Sequence, residues 1–474
     1  MRKLLIALTL TIAALTLSQP IGIGANANDF NYQVNPILVP VSPDTSFPNG
    51  IPLCRSNGIG VVCYSPNFIK KAYEFPSDAA LDGRGQTIVV VDAFGSPTIT
   101  SDLALFDARF GIPAPPSFTI FCGDSLKPYD ITTCPHESIN VNTGHHLAGW
   151  AYETTLDVEW AHATAPGANI VLDVASTSSG NAINAAEASA IAAYPGAIFS
   201  QSFGIPEALI TANNGQVLQA ERNYANGVAL GDTFFASTGD TGATFGTSTP
   251  MANFPSSDVH NTGVTGTQGL PYIEVGTLLP CFSSDPFSCT TGLSTFHGPC
   301  VLGRVIPPDC IPDGYGGEQV WNEPNFGATG GAQSLLFGVP SYQNGLGLTA
   351  RGPDVAYDAA VDGAVLVVYS FLGPTFFGLG GGTSAGSPQW AGIAALANQA
   401  RANLGKGSIG GNLNTALYSI YHSARYSVDF HDITIGNNQL VGTPVGYAAG
   451  PGYDLASGIG SPIVDQLIQD IAAS

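Results

Sequence analysis

Thr87-Ile88-Val89-Val90-Val91-Asp92 is an unbroken β-branched apolar run that ends on a carboxylate, and it decides the fold class. A strand with one wet face alternates apolar and polar residues; a continuous run means both faces are covered. Similar runs recur at Ile170-Val171-Leu172, Ala197-Ile198-Phe199 and Phe234-Phe235-Ala236. Between them, residues 148–164, 180–194 and 214–226 read as helices. Strands alternating with helices predict an α/β fold with a mainly parallel sheet. Further helices fit 384–402, after a Gly-rich turn, and 461–473.

Outward from this frame the chain is less regular. Residues 28–71 are rich in Pro and Asn and read as an irregular N-terminal extension. Residues 277–328 are rich in Cys, Pro and Gly and read as a long disulfide-pinned loop. At the N-terminus, Arg2 and Lys3 precede the apolar stretch Leu4–Leu17, and Ala25-Asn26-Ala27 offers a small-x-small cleavage site. Residues 1–27 are therefore expected to be a secretory signal, and the product a secreted, extracellular protein. The apolar stretch is too short and wrongly flanked for a membrane span, so no membrane association is expected after its removal.

The eight cysteines fall as Cys54/Cys63, Cys122/Cys134, Cys281/Cys289 and Cys300/Cys310. In an exported chain an even count suggests disulfides, and nearest-neighbour pairing is one of the possible connectivities. No pair has the two-residue spacing of a zinc knuckle. With 44% hydrophobic residues the 474-residue chain can bury a sizeable core. Its 35 acids against 14 bases give a formal charge of −21, which argues against nucleic acid or an anionic membrane as a partner. The same imbalance suits acid: as carboxylates protonate near pH ~4, few cations are left to repel one another. Nothing in the sequence indicates an oligomer, so a monomer is expected.

Three segments carry chemistry. In Gly380-Gly381-Gly382-Thr383-Ser384-Ala385-Gly386-Ser387-Pro388 the glycines permit a tight turn. A helix starting near Ser384 would set its hydroxyl at a positive helix end, where attack that creates an oxyanion is favoured. In Glu153-Thr154-Thr155-Leu156-Asp157 the two carboxylates are four apart, on one helix face. Such a pair costs a few tenths of a kcal/mol when exposed; buried, it shares a proton and can take one from serine below the range where His works. In Ser237-Thr238-Gly239-Asp240-Thr241-Gly242, Asp240 follows a buried strand. Protonated, it could donate to a developing oxyanion. Each segment has a plain structural alternative: a helix cap, an exposed acidic turn, an Asx turn.

Taken in order, Glu-x-x-x-Asp, Gly-Asp-x-Gly and Gly-Thr-Ser-Ala resemble the sedolisin family, the serine-carboxyl peptidases of the subtilisin-like clan. Tyr73–Pro76, Gly85–Val89, Ala165–Ala168, Ser200–Gly204, Phe254–Ser257, Gly330–Gln343 and Arg351–Val355 extend the likeness over roughly 72–474, the Cys-rich insert excepted. The resemblance implies a single catalytic domain built on a subtilisin-like, seven-stranded parallel sheet flanked by helices. It implies an acid-active peptidase acting on polypeptides through an acyl-enzyme; endo- and tripeptidyl-exopeptidase action both stay open, with endopeptidase the default because no feature predicts a blocked cleft. Ser384 would be nucleophile, Glu153 general base and acid, Asp157 its supporting carboxylate and Asp240 the oxyanion stabiliser. It also implies one structural Ca²⁺, held by Asp432 and Asp454 with the carbonyls of Ile433, Gly450 and Gly452 and a water. The stretch 28–71 stands where the family carries a long prodomain, which leaves open an inhibitory tail or unaided folding. Two rivals stay open: an inactive binding module of the same fold, and a subtilisin-type triad of Asp92, His146 and Ser384. The second would fail below about pH 6.

Overall fold

The structure is a computed structural model. It describes residues 15–16, 30–35, 37–43, 53–56, 59–123, 145–210, 214–269, 273–275 and 312–474. The signal segment 1–27, all but two residues of it, and five of the cysteines (Cys134, Cys281, Cys289, Cys300 and Cys310) lie outside the described residues.

The central sheet is formed by β1 (Thr87–Ala93), β2 (Phe118–Phe121), β3 (Asn169–Ala175), β4 (Ile198–Gln201), β5 (Thr233–Ser237), β6 (Asn261–Gly269) and β7 (Val355–Asp358). They are all parallel and run in the order β2-β3-β1-β4-β5-β6-β7. The short strand Glu318–Val320 adds antiparallel to the far end of β6, where Thr267 pairs with Val320 and with Asp358. The expected seven-stranded parallel α/β sheet is therefore present.

Alternation explains why β1 reads as a continuous run. Ile88 and Val90 enter one core, with Leu156, Trp160, Trp390 and Ile393, whereas Val89 and Val91 enter another, with Ile183, Val217 and Tyr224. The first core is covered by α1 (Ile99–Phe110), α2 (His145–Thr164), α5 (Gly386–Asn403), α6 (Leu413–Tyr421) and α7 (Val464–Ala473), the second by α3 (Gly180–Ala193) and α4 (Gly215–Leu230). Each large apolar side chain buried here is worth about 1.5–3 kcal/mol.

α2 is buried on every side, from Leu147 through Ala165. It approaches α5 so closely that a Cβ on Gly392 would sit 2.5 Å from Thr164 Cβ and Cγ2. Only glycine allows this contact, which fixes the two helices against each other.

The N-terminal extension, expected to be irregular, differs. Ile37–Pro43, Phe376–Gly380, Ala364–Tyr369, Ile59–Tyr64 and Leu53–Ser56 pair in sequence, and Ile37–Pro43 pairs again with Leu53–Ser56 to close a ring. Cys54 and Cys63 are disulfide-bonded across one hairpin of this ring, with Cα atoms 5.8 Å apart. Cys122 is also disulfide-bonded. The extension is short of apolar periodicity because it supplies strands to a ring completed some 300 residues later in the chain. The end of the Cys-rich stretch is likewise core rather than loop: Val320, Trp321 and Ala328 are buried.

Candidate active site

In a parallel sheet, clefts form beyond the carboxyl ends of the strands. Here β1 ends near Asp92, β4 runs into Ser202-Phe203-Gly204, and β5 runs into the turn holding Asp240. The strand Phe376–Gly380 delivers Gly381 and Gly382 to a single 3₁₀ turn, Thr383–Ala385, from which α5 starts. The helix thus begins two residues later than the sequence suggested, and Ser384 sits just ahead of its positive end.

Asp240 is tied to that turn. Its Oδ1 accepts from the Thr383 backbone N–H at 2.8 Å and from Thr383 Oγ1 at 2.7 Å. Thr383 Oγ1 in turn accepts from the Gly239 N–H at 3.0 Å. Gly382 has φ +89°, and a Cβ there would meet Asp240 Oδ2 at 2.5 Å, so glycine is required for the approach. Burial pushes the Asp240 carboxyl up to about 6, against the two Thr383 donors that hold it down.

α2 brings Glu153 and Asp157 to the other side of Ser384, both with no solvent exposure. Burial is the main force raising Glu153; the charge of Asp157 adds to it, the Ser384 hydroxyl opposes it, and Asp240 contributes least. Asp157 is raised by burial and then by Asp92, and is partly relieved by Ser202. Ser202 Oγ donates to Asp157 Oδ1 at 2.9 Å. The Ser384 hydroxyl makes a long contact, 3.4 Å, to the Ser202 carbonyl, and no well-formed hydrogen bond closes on either Glu153 oxygen. The Ser384 hydroxyl nevertheless lies close enough to hold the Glu153 carboxyl down, and such contacts tighten when a substrate is seated.

The sequence placed Asp92 only in the alternative triad. The structure sets it inside the carboxylate group, fully buried and raised by burial and then by the charge of Glu153. Three neighbouring buried carboxyls cannot all ionise at once, and their protons are shared. The available signal was the carboxylate ending a doubly buried strand. Of the alternative triad, His146 lies in the first turn of α2, and its side chain is outside the described residues.

Of the candidate cation residues, Asp432 and Asp454 both bond to the 450–452 turn. Gly452 N–H donates to Asp432 Oδ1 and Oδ2 at 3.1 and 2.9 Å, and the Tyr426 hydroxyl donates to Asp432 Oδ1 at 3.1 Å. Asp454 Oδ1 accepts from the Ala456 and Ser457 N–H groups at 2.8 and 2.9 Å, and Oδ2 from Gly450 N–H at 3.1 Å. The Tyr426 hydroxyl is raised by burial and then by the charge of Asp432, with Asp454 a lesser cause, which places both carboxylates near one ring. Among the described residues no three His, Cys, Asp or Glu side chains cluster as a metal site.

No family model matches the chain. Kumamolisin of Bacillus sp. is 30% identical over 447 residues, an alignment covering 89% of this chain and 66% of kumamolisin. Tripeptidyl-peptidase sed5 of Aspergillus fumigatus is 33% identical over 183 residues, covering 34% of this chain and 30% of that protein. The chain thus spans about two thirds of the first relative, at 66%, and under a third of the second, at 30%. Among solved structures, Pseudomonas sedolisin, a serine-carboxyl proteinase complexed with two molecules of pseudo-iodotyrostatin, superposes with a TM-score of 0.65. It is 22% identical and covers 87% of this chain and 99% of that one, a likeness of fold.

Proposed function

The chain belongs to the sedolisin family, and we propose on that footing that it is a secreted, acid-active serine-carboxyl endopeptidase that hydrolyses polypeptides through an acyl-enzyme. The observation that carries this reading is the placement of Ser384 between two kinds of raised carboxyl. Glu153 and Asp157 stand on one side, and Asp240, at about 6, on the other.

In this mechanism Ser384 Oγ attacks the scissile carbonyl carbon while its proton passes to Glu153. Asp157, held by Ser202 Oγ, orients Glu153 and shares its proton. The carbonyl oxygen becomes an oxyanion and accepts a hydrogen bond from the protonated Asp240 carboxyl. Collapse breaks the C–N bond, and Glu153 gives its proton to the departing amine. Water, deprotonated by Glu153, then attacks the acyl ester; collapse breaks the bond from the acyl carbon to Ser384 Oγ, which takes the proton back from Glu153 as the acid product leaves. Every step needs carboxyls that are partly protonated, so the reaction belongs below the pKa of Asp240. A carboxylate base suits that range and an imidazole does not.

Asp432 and Asp454, with the carbonyls of Ile433, Gly450 and Gly452, would hold one Ca²⁺. Hard oxygen donors suit that ion, and beside the two carboxylates the main-chain carbonyls and a water would supply the other donors. Bound there, it would tie two C-terminal loops together far in sequence from Ser384, a structural role. Secretion agrees with the Cys54–Cys63 bond, since disulfides persist in oxidising compartments. No helix among the described residues is long and apolar enough to cross a membrane.

The direct test is hydrolysis of an unfolded protein at pH 4 by the purified chain and by Ser384→Ala. Turnover that the substitution abolishes supports the reading; equal turnover by both, or none with folded protein, refutes it.

A further inference from the structure

The strand that delivers the nucleophile is held along both edges. Ala364–Tyr369 pairs with one edge of Phe376–Gly380, with Val365 opposite Gly380 and Leu366 opposite Leu379. Ile37–Pro43, from the N-terminal extension, pairs with the other, with Leu38 opposite Gly380 and Val39 opposite Leu379. Gly381, Gly382 and Thr383 then lead directly to Ser384. Without the extension, Phe376–Gly380 would be an edge strand, its outer N–H and C=O groups unpaired up to the catalytic turn.

Beside this pairing lies a small core that the extension helps to fill. Val39, Val41, Cys54 and Cys63 are buried in one cluster with Trp321, Ala359 and Leu379. Both turns of the site stand on it. Gly382 N–H donates to the Ala359 carbonyl at 2.8 Å, which anchors the Ser384 turn. On the other side, Ala328 N–H donates to the Asp240 carbonyl at 3.1 Å. A Cβ on Gly327 would lie 2.6 Å from that carbonyl oxygen and 3.0 Å from Trp321 Cη2. The core therefore sets how far the Ser384 turn stands from the Asp240 turn.

The Cys54–Cys63 bond closes the frame. Pro43 pairs with Cys54, and Cys63 with Ala364, so the bond ties the partner on one flank of the nucleophile strand to the partner on the other. Among the described residues, none of 37–64 lines the pocket beside Ser384 and Asp240.

We propose, building on the peptidase reading, that residues 37–64 are a permanent support of the nucleophile turn, retained in the active enzyme, with Cys54–Cys63 as its clasp. These are positioning residues: they touch no substrate and act through Leu379, Gly380 and the core beneath both turns. Loosening them should misplace Ser384 relative to Asp240, which lowers kcat, while leaving the pocket walls and hence KM as they are.

The test compares the full chain with the paired substitution Cys54→Ala and Cys63→Ala. Intact mass and N-terminal sequencing of the active species should find residues 37–64 present; an active species that begins after Tyr64 overturns the proposal. On a quenched fluorescent peptide at pH 4, the pair should lose about tenfold or more in kcat with KM little changed. Hydrogen exchange should quicken about tenfold or more in 376–384 and stay as it was in β1 and β3. Unchanged kcat with unchanged exchange overturns the proposal. So does a loss of kcat that merely follows the folded fraction, with exchange quickened evenly over the central sheet. Should the pair not fold, Val39→Ala makes a smaller opening in the same core: the same local pattern supports the proposal, and its absence overturns it. Exchange quickened only in 376–384, in a chain whose parent hydrolyses nothing, would refute the peptidase reading and keep the support. Hydrolysis and exchange both indifferent to these substitutions would do the reverse.

Discussion

Replacing Asp240 by Asn and by Ala separates its charge from its hydrogen bonding. With its carboxyl at about 6, Asp240 is protonated about a hundred to one at pH 4 and only about one part in ten at pH 7. A neutral donor is what the oxyanion needs, so this residue alone should lower activity about tenfold between those values. Asn is neutral at every pH. Its Oδ1 can keep both Thr383 contacts, made at 2.8 and 2.7 Å in the parent, and its amide can donate where the carboxylic acid did. Asp240→Asn should therefore retain activity at pH 4 to within about tenfold and lose less of it toward pH 7. Asp240→Ala removes the donor and should cost about 10²–10³ in kcat, as for other oxyanion donors. The assay is kcat on a quenched fluorescent peptide from pH 3 to 8, with thermal unfolding to confirm that each variant folds. If Ala and Asn are equally inactive at every pH, or if Ala is as active as the parent, Asp240 is not the oxyanion donor.

Other outcomes follow from the same physics. The folded Asp240 carboxyl, at about 6, binds its proton more tightly than the unfolded one at 3.8. Its contribution of roughly 3 kcal/mol is complete below about pH 4 and gone above about pH 6. Asp92, Glu153 and Asp157 are shifted in the same direction, so Tm should rise as pH falls from 7 to 4.5, and a Tm falling steadily over that range contradicts the buried-carboxyl picture. Gly392→Val, placing a Cβ 2.5 Å from Thr164, should destabilise the fold by about 1–3 kcal/mol or more in denaturant unfolding and disturb the α2–α5 contact. If Asp432 and Asp454 hold calcium, a chelator should lower Tm of the parent and leave Asp432→Ala unmoved.

Much of the fold was legible because it is written locally. The helices expected at 148–164 and 180–194 appear as His145–Thr164 and Gly180–Ala193, and the apolar runs became β1, β3, β4 and β5. β6 was not legible: Asn261-Thr262-Gly263-Val264-Thr265-Gly266-Thr267 is buried throughout yet has a single large apolar residue. Its glycines admit neighbouring side chains, and its threonines are satisfied by distant groups such as Val355 and Glu318. The ring that encloses the extension was hidden for a related reason, because its pairings join residues near 40 and 60 to residues near 370. At the site, Ser384, Glu153, Asp157 and Asp240 do converge. What spacing could not decide was whether Glu153 and Asp157 are buried, since α2 is covered on all sides and has no polar face to mark an exposed turn. Asp92 was marked only as the carboxylate ending a doubly buried strand; that it joins Glu153 follows from tertiary packing, which local pattern does not record.

The measurement that bears most directly on the carboxylate-base mechanism is the pH dependence of kcat for the chain beside Glu153→Gln. A maximum below about pH 5, with the Gln variant reduced by about 10²–10⁴ at that maximum while its fold is retained, is the expected result. A maximum near neutral pH, with Glu153→Gln nearly as active as the parent, would contradict it.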